Sequence, residues 1–202
     1  EDSFVREQQF SADVSHELRT PIAEIRSSAE VALRWPDDIQ LGNESLQDIL
    51  LTTRRMQHLV NNLFALAKCD DGKVVLETNQ FELVELIRDS WKAVKESAEN
   101  KALVSSFQPE GRFQICSSRY ELQMILLNLF NNAVSYTPTH GSIVIEVQNS
   151  NRGIVFTISN ATEFLDQGDL PRLFDRMWQK DVSRSSESHA GLGLALVKAY
   201  CR

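Results

Sequence analysis

Up to about Lys68 the apolar residues recur at intervals of three and four, with no alternating run and with Gly42 as the one glycine. That period marks helices with one buried face. In a first helix, Phe10, Val14, Leu18, Ile22, Ile25, Ala29 and Ala32 form the stripe, and Trp35-Pro36-Asp37-Asp38 is a helix stop followed by a turn. In a second, Leu46, Ile49, Thr53, Met56, Val60, Leu63 and Ala67 keep a seven-residue repeat, which Leu50, Leu59 and Leu66 widen. The two predict an antiparallel hairpin. A lone hairpin leaves part of both stripes uncovered, so pairing two hairpins as a four-helix bundle is the simplest burial, and a homodimer is expected.

The period changes near Phe81. Leu83, Val84, Leu86, Ile87, Trp91 and Val94 fit an amphipathic helix, while Leu103–Phe107, Phe113–Cys116, Ile143–Val147 and Ile154–Ile158 are short β-rich runs. A helix is predicted between the second and third runs, over about Arg119–Ser135, and another over Gly191–Cys201. Helices and strands mixed in this order predict an α/β sandwich with helices on one face of a mixed sheet. The polar, turn-like stretch around Asp70-Asp71-Gly72 separates the halves. The expected chain is therefore two-domain: an all-α hairpin over residues 1–69, a linker over 70–79 and an α/β domain over 80–202.

Composition narrows the partners. A chain of 202 residues with 42% hydrophobic content can bury a core. A net charge of −7 without a Lys/Arg run argues against nucleic acid, whose phosphates are neutralised by basic side chains. Cys69, Cys116 and Cys201 are odd in number and lack a CxxC, so they read as reduced structural thiols. No stretch reaches the roughly 18 consecutive apolar residues of a membrane helix, so no direct membrane contact is expected here. The acidic start Glu1-Asp2-Ser3, without Met, and the end directly after a helical pattern lead to the expectation of a longer parent protein.

The segment Ser15-His16-Glu17-Leu18-Arg19-Thr20-Pro21 interrupts the first helix. At about 100° per residue, Val14, Leu18, Ile22 and Ile25 cluster within one quadrant and His16 points nearly opposite. Thr20 is one turn on and shares that face, and Glu17 sits beside His16, where a carboxylate can accept the imidazole Nδ1 proton. Nε2 is then left as a lone-pair nucleophile. Pro21 cannot donate the helical hydrogen bond and is expected to bend the helix one turn beyond His16. A solvent-facing histidine alone is common. The string SHELRTP, however, resembles the phosphoacceptor box of sensor histidine kinases in residue order and in its place near the start of a two-helix hairpin. That resemblance implies His16 as the phosphoacceptor, Glu17 as its acid/base partner, and Thr20 as a residue that positions water for dephosphorylating a response regulator.

In Leu127-Asn128-Leu129-Phe130-Asn131-Asn132-Ala133-Val134-Ser135-Tyr136-Thr137-Pro138, one helical turn separates Asn128 from Asn132 and Asn132 from Tyr136. Leu122, Leu126, Leu129 and Ala133 form an adjoining apolar stripe, so amides can line a cleft while the aliphatic face packs on a sheet. An Asn carbonyl binds a hard cation without adding charge beside phosphates. The order resembles the N box of the kinase ATP-binding domain. It implies Asn132 as the Mg²⁺ ligand, Asn128 near the phosphates and Tyr136 against the adenine, with Ser135 where the family usually has a basic residue.

Gly191 and Gly193 in His189-Ala190-Gly191-Leu192-Gly193-Leu194 let backbone N–H groups approach a phosphate at a helix N-terminus. A GxG alone is weak, often only a helix-starting turn. Following Leu173-Phe174-Asp175-Arg176 and a polar loop, it resembles the glycine box that ends the family's ATP lid. At the adenine loop the family's DxGxG is replaced by Asn160-Ala161-Thr162-Glu163-Phe164. The Asn160 carbonyl can still accept from an adenine amino group. Thr162 and Phe164 stand where flexible backbone is usual, so weakened adenine access is expected.

The resemblance runs from about Phe10 to Arg202 with four motifs in order. It implies a dimeric, ATP- and Mg²⁺-dependent histidine kinase that phosphorylates His16 and passes the phosphoryl group to an Asp of its cognate response regulator. It further implies phosphatase activity toward that regulator and a place as the cytoplasmic portion of a bacterial inner-membrane protein. The altered adenine loop keeps a second reading open, a nucleotide-poor scaffold that docks a regulator. The Asn and Gly boxes argue against a third, a plain coiled coil.

Overall fold

The computed structural model describes residues 2–70, 77–109, 111–151, 153–162, 165–180 and 191–201, with side chains described for these except 2–9 and 70. The chain divides into two compact units, Glu1–Ala67 and Lys68–Arg202.

The first unit is the helical hairpin of α1 (Asp2–Arg34) and α2 (Ile39–Asp70). The turn is closed by Asp38, whose backbone N–H donates to the Trp35 carbonyl at 3.1 Å and whose carboxylate accepts from the Leu41 N–H at 3.0 Å. An aspartate in that place satisfies one of the orphan donors at the start of α2. α1 continues through Pro21. The buried line of α2 is Ser45, Thr52, Leu59 and Leu66, one residue in every seven, joined by Asn62. The repeat is therefore present but displaced by one position from the stripe read in the sequence. Leu46 and Leu50, expected inside, are exposed. Hydrophobicity finds the face with the most large apolar residues, and in α2 that face differs from the one the isolated hairpin buries.

The second unit holds β1 (Thr78–Glu82), α3 (Leu83–Lys92), α4 (Lys95–Asn100), β2 (Val104–Pro109), β3 (Gln114–Ser118), α5 (Arg119–Tyr136), β4 (Ser142–Ser150), β5 (Gly153–Asn160), a 3₁₀ turn over Gln167–Arg172 and α6 (Gly193–Tyr200). A mixed sheet has the order β2-β4-β5: β2 runs parallel to β4 with Val104 opposite Ser142, and β5 antiparallel with Ile158 opposite Ile145. β1 and β3 form a separate antiparallel pair, Phe81 opposite Ile115. Alternation along β4 sends Ile143, Ile145 and Val147 into one core with Leu86 and Ile87 of α3 and Leu126, Phe130 and Ala133 of α5. Phe130 meets Trp91 edge to face at 5.2 Å and Phe156 at 6.2 Å between ring centroids. Burying each such side chain contributes about 1.5–3 kcal/mol.

Both expected layers are present, with two differences in detail. β1 lies partly in the stretch read as a linker: Thr78–Glu82 is polar apart from Phe81, because this strand pairs with β3 alone and buries a single large side chain. α4, likewise absent from the pattern, buries only Ala98.

Candidate active site

In the hairpin, His16 and Thr20 are both exposed on α1, one turn apart, and Glu17 between them is half-buried. The imidazole therefore lies off the helix's covered face while its neighbouring carboxylate lies toward it. Ser15 turns its hydroxyl back onto the Ser11 carbonyl at 2.9 Å, so the residue before His16 is tied within the helix.

In the α/β unit the three residues of the α5 line fare differently. Asn128 is 4% exposed, and its Nδ2 donates to the Met124 carbonyl at 2.8 Å. Asn132 is half-buried, and Tyr136 is exposed although neighbouring atoms desolvate its hydroxyl enough to raise its pKa. The C-terminal end of α5 is fastened by Lys101, whose Nζ donates to the Val134 carbonyl at 3.0 Å and the Ser135 carbonyl at 2.7 Å. An ammonium there satisfies carbonyls that the helix leaves unpaired and suits the negative end of its dipole. Sequence reading passed over Lys101 because it is far from the motif it supports.

The glycine box has two separate structural causes. Gly191 has φ +62°, and a Cβ on it would lie 2.7 Å from the Met177 carbonyl carbon and 2.8 Å from the Trp178 carbonyl oxygen. The Met177 N–H donates to the Gly191 carbonyl at 3.1 Å, so the two ends of the 178–190 segment meet backbone to backbone. Gly193, the first residue of α6, would place a Cβ 2.9 Å from Asn128 Oδ1. At the entry end, Lys180 Nζ lies 2.6 Å from Asp166 Oδ2 and 2.5 Å from Asp169 Oδ2. The hydrogen bond from Lys180, then one from the Asp166 backbone, holds the Asp169 carboxyl below its ordinary value, and the two carboxylates raise the lysine.

Asn160 ends β5, half-buried, with Nδ2 donating to the Ala161 carbonyl at 3.3 Å. That bond occupies the donor end of the amide and turns the acceptor end away from it. Glu163, Phe164 and the loop over 181–190 lie outside the described residues, so the expectation for Phe164 is not addressed by this geometry.

Two family models match the chain: the His Kinase A (phospho-acceptor) domain over residues 6–72, and the histidine kinase-, DNA gyrase B-, and HSP90-like ATPase over residues 117–202. The chain belongs to the two-component sensor histidine kinases. It is 30% identical over 204 residues to the sensor histidine kinase CusS of Escherichia coli K12, covering 98% of this chain and 42% of that protein. It is 28% identical over 193 residues to the sensor protein CopS of Pseudomonas syringae pv. tomato, covering 96% of this chain and 39% of that protein. The chain thus spans about two-fifths of the length of these relatives. Among solved structures, the Acinetobacter baumannii histidine kinase AdeS shares the fold at TM-score 0.68 and 22% identity, over 92% of this chain and 85% of that one. The histidine kinase ThkA in complex with the response regulator TrrA shares it at TM-score 0.66 and 20% identity, over 88% and 52%. The phosphoacceptor model falls on the hairpin and the ATPase model on the α/β unit. Among the described residues no helix is long and apolar enough to cross a membrane.

Proposed function

We propose that this chain is the autophosphorylating core of a sensor histidine kinase, with His16 accepting the γ-phosphoryl group of ATP and passing it to an Asp of a response regulator. The observation that carries the reading is an exposed His16 within SHELRTP, off the covered face of its hairpin, in a chain whose other unit matches an ATPase family. The hairpin, residues 1–69, is read as the dimerisation and phosphotransfer domain, and residues 80–202 as the ATP-binding domain. The outward leucines of α2 support pairing with a second copy.

In this mechanism Glu17 accepts a hydrogen bond from His16 Nδ1–H, which fixes the tautomer and leaves the Nε2 lone pair to attack phosphorus. A P–N bond forms as the bond from the γ-phosphorus to the bridging oxygen breaks and ADP leaves. The attacking nitrogen carries no proton, so the positive charge that develops on the ring would be stabilised by Glu17. The cation that suits a neutral amide is a hard one carried by the phosphates, since the amide carbonyl adds no charge beside them. Asn132, half-buried on α5, would be that ligand, and Mg²⁺ would offset the phosphate charge. The backbone N–H groups of the Gly191–Gly193 turn would meet the phosphates, Asn160 would accept from the adenine amino group, and Tyr136 would flank the base. Thr20 would orient water for hydrolysis of the phosphorylated regulator, giving a phosphatase activity at the same surface. The whole protein is read as anchored in the bacterial inner membrane, with this portion in the cytoplasm.

Incubation with labelled ATP and Mg²⁺ tests the reading: acid-labile, alkali-stable phosphate is expected on the chain and absent from His16→Gln. A chain that binds nucleotide but forms no phosphohistidine would overturn it. The nucleotide-poor scaffold is favoured by one feature, Asn160-Ala161-Thr162 in place of the family's glycine-bearing loop, and predicts no measurable ATP binding in a titration.

A further inference from the structure

Asn128 stands in the phosphate-side motif yet is almost wholly enclosed. Its amide nitrogen is spent on the Met124 carbonyl one turn back in α5, which sets the side-chain rotamer and aims Oδ1 at the first residue of α6. A Cβ on Gly193 would lie 2.9 Å from that Oδ1, closer than carbon and oxygen pack unless one of them shifts. A carbonyl oxygen at the tip of a free side chain could swing aside. This one is buried and held by a hydrogen bond, so moving it leaves the amide without its partner.

Gly193 is continuous with Leu192, which is buried, and with Gly191, whose backbone lies against Met177 and Trp178. The turn that leads into α6 is thus located from two sides: by the Met177–Trp178 backbone at Gly191 and by the Asn128 side chain at Gly193. We propose that Asn128 is a positioning residue, which sets where α6 begins by closing the space that a Cβ on Gly193 would need and acts on the nucleotide through that turn without touching it. This rests on the reading that the second unit binds ATP, and it assigns Asn128 a different role from Asn132 one turn later. It also gives the second glycine of the box a cause within the protein, since Gly193 is matched to a side chain of α5.

The test is a double-mutant cycle between Asn128→Ala and Gly193→Ala in the full chain, read by melting temperature and by ATP titration. Gly193→Ala alone is expected to lower the melting point and weaken ATP by roughly tenfold, a shift of the size expected when one buried contact is lost. In the Asn128→Ala background the same Gly193→Ala change is expected to cost little in either readout, because the space it needs has been vacated. Equal losses in both backgrounds would show that the two positions act independently and would overturn the proposal. Asn128→Ser, which is shorter and keeps a polar atom, serves in place of alanine where Asn128→Ala does not fold, with the same outcomes. If the wild-type chain binds no ATP, the ATP-binding reading fails, while the melting cycle still decides whether Asn128 locates Gly193.

Discussion

The hairpin and the α/β unit solve the burial problem to different degrees. In the α/β unit Phe130 is 0% exposed and sits between aromatic neighbours, sheet and helix, so the large side chains close on one another. In the hairpin Leu46 is 60% exposed and Phe64 66%, while Ser45 and Thr52 lie on the buried line. The inner line is polar at Ser45 and Thr52 and becomes apolar only at Leu59 and Leu66, while Leu46, Leu50 and Phe64 lie outside it. Such a helix is completed by another surface, whereas the α/β unit carries its own core. The residues proposed for the reaction follow the same division: His16 is exposed on the hairpin, whereas Asn128 is buried and Asn132 half-buried in the α/β unit.

That contrast can be broken most severely at His16. His16→Gln should abolish phosphohistidine formation completely and leave ATP affinity unchanged, because the acceptor and the nucleotide residues belong to different units; a fall in affinity measured by calorimetry would contradict this division. Asn132→Ala should do the reverse, weakening Mg²⁺-dependent ATP binding by on the order of 10–100-fold, the cost of losing one bond to a charged group. The hairpin and the melting behaviour of the α/β unit should be retained, and unchanged affinity in the presence of Mg²⁺ would remove Asn132 as a ligand. Leu46→Glu with Leu50→Glu tests the outer face. If a second copy covers it, each protomer loses about 1.5–3 kcal/mol per leucine and gains a charge that cannot be buried cheaply. Light scattering should then report monomers, with ATP affinity intact; a stable dimer would show that the outer leucines serve another purpose.

The same contrast explains what could be read from the residues alone. The helical period of the first half, the stop at Trp35-Pro36 and the strands around Ile145 and Ile158 are all strong patterns, and each stands where expected. The identity of the inner face of α2 was not legible, since Leu46 and Leu59 are equally apolar and only the neighbouring helix distinguishes them. β1 and α4 were missed because each buries one large or small apolar side chain and has no periodic stripe to declare it. In the site, the motifs pointed to Asn128, Asn132 and the two glycines. They could not reveal that Gly193 answers to Asn128, that Gly191 answers to the Met177–Trp178 backbone, or that Lys101 closes α5, since these contacts join residues distant in the chain.

Thr20 offers a smaller and sharper cut, within the hairpin alone. It is exposed on the same helix face as His16, one turn away. Thr20→Ala should lower dephosphorylation of the cognate regulator by about tenfold, the loss of one neutral hydrogen bond to the attacking water, while autophosphorylation changes little. Parallel loss of both activities would mean that Thr20 supports α1 itself.

The smallest effect is expected at Lys180, where an ion-pair cluster fastens the 3₁₀ turn of the α/β unit. Its Nζ is shared by Asp166 and Asp169, and these carboxylates also cap the 3₁₀ turn over Gln167–Arg172. The hydrogen bond from Lys180 lowers the folded-state pKa of Asp169, so its contribution is present above the ordinary aspartate value and lost as pH falls through the lowered one. The hydrogen bonds that Lys180 donates to Asp166 and Asp169 raise its pKa, so that contribution is present below the ordinary lysine value and lost as pH rises through the raised one. Lys180→Ala should therefore lower the melting temperature slightly at neutral pH, and the difference from wild type should vanish in acid below the Asp169 titration and in alkali above that of Lys180. High salt should shrink it throughout, because the groups face solvent and exposed ion pairs are screened. Asp169 followed by NMR in Lys180→Ala should titrate at a higher pH than in wild type. An unchanged titration would assign its low pKa to the backbone N–H of Asp166, and the lysine would then be a bystander to the turn that it touches.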